Sequence, residues 1–409
     1  MRFDHTTLPN GLTVLAESNP AAATAALGFF VKTGSRDESP EASGVSHFLE
    51  HMMFKGTGRR TTAQVNRQFD EIGADYNAAT TEETTVYYAS VLSEHLPKLI
   101  DLMADIMQPA LREEDFSTEK SVILEEIALY EDQPRFRVYD TLMSLYFGSH
   151  PLGNVILGTP RTIAAMTTGQ MMEYFRRRYS PSNIVLAAAG KVDFAWLSES
   201  AHRLCGHWSG QQTAPRVAQV PAGASGRQIL HDARLAREHV GFMSPAPSAQ
   251  DDDRFAAQVL SAIVGDDTGS MLYYDLVETA MVDEISLGHA AMDGAGVFMT
   301  FLSADPRKAK AAVEATGNTI RRFMHDGPTD SQLTAARNKI ATGITLKGEL
   351  PMGRLADIAG DWVYRNDYMP LEDQIARLLA VDCDDVRQVA ARYDPASAAM
   401  LALGPLENL

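Results

Sequence analysis

Cysteine is almost missing from this 409-residue chain, which holds only Cys205 and Cys383. Two cysteines cannot build a disulfide framework, and a chain of this length buries enough apolar surface not to need one. Cations are also scarce. Lys and Arg number 36 against 53 Asp and Glu, a formal net charge of −17. A nucleic-acid binder needs a basic footprint to displace counterions, so that class is excluded. Docking on an anionic membrane surface is disfavoured for the same reason. Long apolar runs are lacking as well. The richest early stretch, Ala21 to Val31, is interrupted by Thr24 and ends at Lys32, about half of what a bilayer span requires. The opening Met1-Arg2-Phe3-Asp4-His5 has no basic segment followed by an apolar one, and the expected location is the cytoplasm.

What is present is an ordinary globular mixture, 45% hydrophobic and 22% charged. A chain this long is expected to divide into domains. Leu8-Pro9-Asn10-Gly11 reads as a turn feeding a strand, with Gly11 free to take positive φ. Thr24 to Lys32 reads as a second strand, and Asn77 to Leu92 as β structure rich in β-branched and aromatic residues. Helices are expected behind Ser39-Pro40, over Thr62 to Ile72, Glu94 to Met107 and Ser117 to Glu131, the last closed by Pro134. Residues 209–227 are rich in Gly, Pro, Ser and Gln, the composition of a linker. They separate an expected domain 1–208 from another over 228–409. Beyond the linker the order strand-then-helix returns, with Glu238 to Phe242 and then Asp252 to Ile263. The expected fold class is therefore α+β, two similar domains related by an ancient duplication, each a mainly antiparallel sheet packed with helices.

Chemistry concentrates at His47-Phe48-Leu49-Glu50-His51. Positions i and i+4 share a helix face, so both imidazoles reach one metal ion, while Glu50 lies close enough to polarise a water without ligating. This is the inverted zincin pattern His-x-x-Glu-His. A catalytic zinc takes three protein ligands and keeps a position open, so a third ligand comes from elsewhere. Glu119 and Glu126 are two helical turns apart and share a face. The helical neighbours of Glu126 are Glu119, Val122, Ile123 and Tyr130, which read as a largely apolar, buried surface. A buried carboxylate needs a partner, so Glu126 is assigned as the third ligand and Glu119 as a supporting carboxylate. The plainer alternative is a solvated helix face. His202, Cys205 and His207 have no recognisable zinc spacing and read as a packed helix end. The Asp251-Asp252-Asp253 and Asp382 to Asp385 runs read as helix caps.

The segment Gly44-Val45-Ser46-His47-Phe48-Leu49-Glu50-His51-Met52-Met53-Phe54-Lys55-Gly56-Thr57 resembles the active-site helix of the pitrilysin/insulinase-type zinc peptidases, closest to the mitochondrial-processing-peptidase branch. Thr33 to Glu38, Val122 to Asp132, His150 to Gly153 and Ile156 to Thr159 match in kind and order. The resemblance covers most of residues 1–200. It implies a zinc metalloendopeptidase with one Zn²⁺ per chain, cutting peptides or unfolded segments held in a closed chamber. His47, His51 and Glu126 would be the ligands, Glu50 the general base and Glu119 supporting. It further implies that Asn77, Ala78, Ala79 and Thr80 lie on an edge strand where a peptide adds by its backbone; for Asn77 the alternative is a turn residue. The family also carries an Arg and, seven residues later, a Tyr in its second half. Here those positions are Val277 and Glu284, which offer neither cation nor phenol to a developing oxyanion. The resemblance therefore implies a zinc-bearing subunit whose related partner supplies the Arg/Tyr pair. The alternative is a non-catalytic scaffold subunit of the same fold. An acidic chamber would favour basic peptides.

Overall fold

The structure is a computed structural model that describes residues 1–210, 213, 216, 220 and 223–409. Nine of the nineteen residues of the expected linker over 209–227 thus lie outside the described residues. Contacts group the chain into two compact units that do not follow its order. The first comprises Met1–Leu129, Asn154–Arg216 and Leu346–Met369; the second comprises Tyr130–Gly153, Val217–Thr345 and Pro370–Leu409.

The first unit is built on a six-stranded sheet of β1 (Arg2–Thr7), β2 (Thr13–Ser18), β3 (Thr24–Val31), β4 (Asp75–Thr80), β5 (Thr85–Leu92) and β6 (Ile184–Gly190), in spatial order β1-β2-β6-β3-β5-β4. Every neighbouring pair is antiparallel except β2 with β6. Gly11, at φ 93°, turns the chain between β1 and β2, as its sequence position requires. The expected β region from Asn77 to Leu92 is a hairpin, β4 and β5, reversed through residues 81–84. Strands β3 and β6 are nearly continuous in apolar residues because both sheet faces are covered. One face (Val14, Leu27, Phe29, Leu186, Ala188) packs on α1 (Val45–Met53), α2 (Thr62–Glu71), α3 (Leu96–Ile106) and α4 (Glu113–Glu131). The other face (Leu15, Ala26, Phe30, Val185, Ala187) packs on a helix from far along the chain, Pro351–Arg365, through Leu355, Ile358 and Trp362. That helix is fixed by a buried bidentate pair, Arg354 Nε and Nη2 each 2.7 Å from a Glu17 carboxylate oxygen.

In the second unit, β7 (Arg227–His231), β8 (Glu238–Pro245), β9 (Glu284–Met292), β10 (Ala295–Ala304) and β11 (Ala399–Gly404) form a sheet in the order β7-β11-β8-β10-β9. Its one parallel pairing is β7 with β11. Numbered within each set, β2 to β6 and β7 to β11 both run 1-5-2-4-3, with the same strand senses. This sheet too receives a helix from elsewhere in the sequence, α5 (Pro134–Phe147). Val138 and Leu142 of α5 pack with Met243, Leu401 and Leu403. Gly241 permits the approach, since a Cβ there would lie 2.7 Å from Val138 Cγ1. Two similar α+β units with mainly antiparallel sheets are what the sequence implied. The Asp382 cap is also present, its carboxylate accepting from the Asp384 and Asp385 N–H groups. Asp253 is a correction: it precedes the helix Arg254–Gly265 but its side chain makes no cap bond. It pairs instead with Arg392, because Asp253 itself has helical backbone angles (φ −57°, ψ −14°), and the extended conformation that aims a capping side chain at the first turn is missing.

Candidate metal centre

Helix α1 begins where Gly44 takes φ 92° and ends at Phe54. Val45, Phe48, Leu49, Met52 and Met53 face the core, and Phe48 stacks on Phe116 of α4 with ring centroids 4.5 Å apart. That apolar seam brings α1 and α4 together and sets their polar residues opposite one another. His47, His51 and Glu126 are the one group of three His, Cys, Asp or Glu side chains among the described residues whose ligand atoms lie within 4.8 Å of one another. His47 Nε2 is 3.7 Å and His51 Nε2 3.6 Å from Glu126 Oε2. Two ligands about 2.0–2.2 Å from a shared tetrahedral zinc stand roughly 3.4 Å apart, so the three atoms are spaced to hold one ion. Glu126 Oε2 is buried and has no hydrogen-bond partner among the described residues. A buried carboxylate oxygen without a donor is costly unless a cation completes it. The residues therefore fit zinc.

The remaining groups are arranged around this triad. His51 Nδ1 meets Glu119 Oε1 at 2.7 Å, and the other Glu119 oxygen is 2.6 Å from Lys55 Nζ. This is the carboxylate–histidine arrangement that turns Nε2 toward a metal. His47 lacks such a partner: its Nδ1 is buried with no hydrogen bond among the described residues. Glu50 sits on the same helix with Oε2 accepting from Thr80 Oγ1 at 2.5 Å. Burial, joined by the charge of His51, pushes His47 down to about 3, so its ring is neutral at ordinary pH. Burial works against a charged His51, but the Glu119 hydrogen bond and the charges of Glu119, Glu126 and Glu50 prevail and raise it. Burial opposes ionisation of Glu119 too, yet His51 and Lys55 hold it below the usual range. Glu50 is raised, chiefly by burial, with the Thr80 hydroxyl and His51 pulling the other way. Glu126 is raised by burial.

All five residues singled out on α1 and α4 are brought together. The helical surroundings of Glu126 differ from expectation in one respect, because Val122 is 44% exposed; periodicity marks a face but not what covers it. Asn77, Ala78, Ala79 and Thr80 lie on β4, the edge strand beyond β5. Asn77 and Ala79 are exposed while Ala78 and Thr80 turn inward. Lys55 was not singled out, although its spacing of four from His51 is a usable signal. Thr80 as partner of Glu50 depends on a contact between α1 and β4 that no sequence spacing encodes. Val277 lies at the end of a π-helical turn, Tyr273–Val277, and exposed Glu284 opens β9, 3.5 Å from Arg135. His202, Cys205 and His207 form no metal group among the described residues; Cys205 is packed in the core.

Residues 13–160 match the family described as insulinase (peptidase family M16), and residues 165–340 match the peptidase M16 inactive domain. An uncharacterised zinc protease of Streptomyces coelicolor is 31% identical over 98% of this chain and 90% of its own length. A probable mitochondrial-processing peptidase subunit beta of Arabidopsis thaliana is 33% identical, over 99% of this chain and 78% of its own. Among solved structures, a protease from Helicobacter pylori superposes with a TM-score of 0.91 at 20% identity, covering 98% of this chain and 99% of that one. No helix among the described residues is long and apolar enough to cross a membrane.

Proposed function

The chain belongs to the insulinase-type peptidase family M16, whose similar members are named zinc proteases, and from that premise we propose that it is an active zinc endopeptidase working as the zinc-bearing subunit of a heterodimer. One observation carries the reading: three ligand atoms converge at the spacing of a single tetrahedral ion, with the unligated Glu50 carboxylate one residue before His51 on the same helix. His47, His51 and Glu126 would hold the ion. When bound there, zinc supplies a Lewis acid that polarises a peptide carbonyl and makes a water more acidic. Glu50 takes the proton from the attacking water and passes it to the leaving amine. Burial keeps Glu50 basic enough to accept that proton, and Thr80 holds one of its oxygens in place. Glu119, charged against Lys55, fixes the His51 ring. Strand β4 offers an unpaired edge at which a peptide adds through its backbone, so Asn77 to Thr80 would read conformation rather than side chains.

The heterodimer rests on Val277 and Glu284, which supply neither a cation nor a phenol. A related chain bearing Arg and Tyr at those positions is the partner this requires, as the named beta subunit among the relatives suggests for its own assembly. The expected site of action is the cytoplasm. The test is metal analysis and peptidase assay of the purified chain, alone and with an Arg/Tyr-bearing relative. Stoichiometric zinc, with Glu50-dependent activity that rises sharply on adding the relative, supports the proposal. Absence of zinc sinks the enzyme reading and favours a scaffold; full activity of the isolated chain sinks the heterodimer.

A further inference from the structure

The two histidines are held differently. His51 is oriented through its own ring by Glu119, whereas His47 Nδ1 has no hydrogen-bond partner among the described residues. Its position then depends on packing, with the His51 ring 4.6 Å away, and on the backbone that carries it, the first turn of α1. That turn has an unusual problem. Its N-cap, Gly44, has φ 92°, and a Cβ there would lie 2.6 Å from Leu157 O and 2.7 Å from Ile163 Cδ1. Only glycine fits, and glycine has no side chain to cap the free N–H groups that begin every helix. Both Gly44 and Ser46 are buried, so water does not serve those groups.

Glu38 does. Its Oε2 accepts from Gly44 N and its Oε1 from Ser46 N, each at 2.7 Å. The carboxyl itself is buried. Ser46 is fixed a second time through its hydroxyl, 2.6 Å from Tyr174 OH, which in turn lies 2.8 Å from Thr33 Oγ1. His47 follows directly. We infer that Glu38 is a positioning residue for the metal centre: a remote cap that sets the first turn of α1 and thereby the place of His47 Nε2, with Tyr174 as its second anchor. The inference rests on the zinc-peptidase reading and deepens it.

The experiment measures the zinc dissociation constant by chelator competition, and the visible absorption of the Co²⁺-loaded protein, for the full chain and three variants. Glu38→Gln keeps the volume but leaves one backbone N–H facing an amide NH₂. It is expected to weaken zinc binding by about tenfold or more, as loss of a ligand-orienting partner does, and to alter the Co²⁺ spectrum. Tyr174→Phe should shift both in the same direction by a smaller factor, and it carries the test should Glu38→Gln fail to fold. Thr61→Ala removes a cap of the same kind from α2, where Thr61 Oγ1 accepts from Gln64 N. It should lower thermal stability with zinc affinity and spectrum unchanged, which separates positioning from general destabilisation. Folded Glu38→Gln and Tyr174→Phe variants that bind zinc within twofold of the unaltered chain overturn the inference alone. An unaltered chain that binds no zinc overturns the zinc-peptidase reading, and this inference with it.

Discussion

Two helices of this chain stand at the same place in sheets of the same topology, and only one carries residues of the proposed metal centre. Each follows the second strand of its five-strand set and packs against the hairpin strand at the sheet edge, α1 on β4 and Arg254–Gly265 on β9. The second helix is buried almost throughout, with Phe255, Val259, Leu260, Ile263 and Val264 in its core. In α1 the matching surface is interrupted by His47, Glu50 and His51, and α4 brings Glu126 to meet them. A common scaffold therefore tolerates two uses of one position. The first unit gives up apolar burial there to gather charged and potential ligating groups, and it stacks Phe48 on Phe116 and caps the helix with Glu38. The second keeps the position as plain core.

The largest effect is expected at Glu50, the proposed general base. Glu50→Gln should leave one zinc per chain in place and lower kcat by about 10²–10⁴-fold, read by metal analysis and peptidase assay of the assembled enzyme. Unchanged activity would remove the chemical distinction between the halves. Next in size are paired core deletions in the two helices. Phe48→Ala should cost about 3–5 kcal/mol and Leu260→Ala about 2–5 kcal/mol in denaturant unfolding. Only the first should also impair zinc binding, since only α1 bears ligands. Equal zinc affinity in both would show that the ligand helix tolerates displacement.

Smaller effects sharpen the contrast within the site. Glu119→Gln should weaken zinc about 10–100-fold, measured by chelator competition, without the loss of stoichiometry expected of Glu126→Gln. Protons compete with the metal for His51, whose pKa is raised by Glu119, Glu126 and Glu50 against the effect of burial. Zinc affinity should then be full above that raised value and fall about tenfold per pH unit below it. His47, lowered to about 3 by burial and by His51, adds no slope of its own until strongly acid pH. Affinity flat down to pH 5 or so would contradict this assignment. The smallest effect belongs to Thr80→Val. Losing the hydroxyl that favours the charged form raises the Glu50 pKa further, and a base works only when ionised. The acid limb of the pH–rate profile should move to higher pH.

Much of the site was legible because its spacing is local. His47, Glu50 and His51 share one helix face, Glu119 and Glu126 lie two turns apart on another, and helical periodicity makes both visible in the sequence. The edge position of Asn77 to Thr80 came from resemblance, and the hairpin containing them was marked by β-branched and aromatic residues. The linear division at residues 209–227 remains a proposal about the chain's duplicated halves. The exchange of helices between those halves was not legible. The apolar stripe of Pro351–Arg365 announces that it must be buried, but Leu355 and Ile358 would satisfy that requirement on either sheet. The same limit hid Glu38 and Tyr174, whose partners are fixed by folds of the backbone between them.

The sequence alone determined which residues are candidates for a metal centre, the alternation of strands and helices, and the acidic balance, since each follows from residue type and short-range period. Only the tertiary structure decided which groups meet. Glu126 Oε2 stands 3.6–3.7 Å from the two imidazoles because Phe48 and Phe116 stack. The first turn of α1 is capped from six residues away because a glycine must occupy its N-cap. Hydrophobic burial is non-directional and specifies only that a face be covered; hydrogen bonds and close packing choose the neighbour.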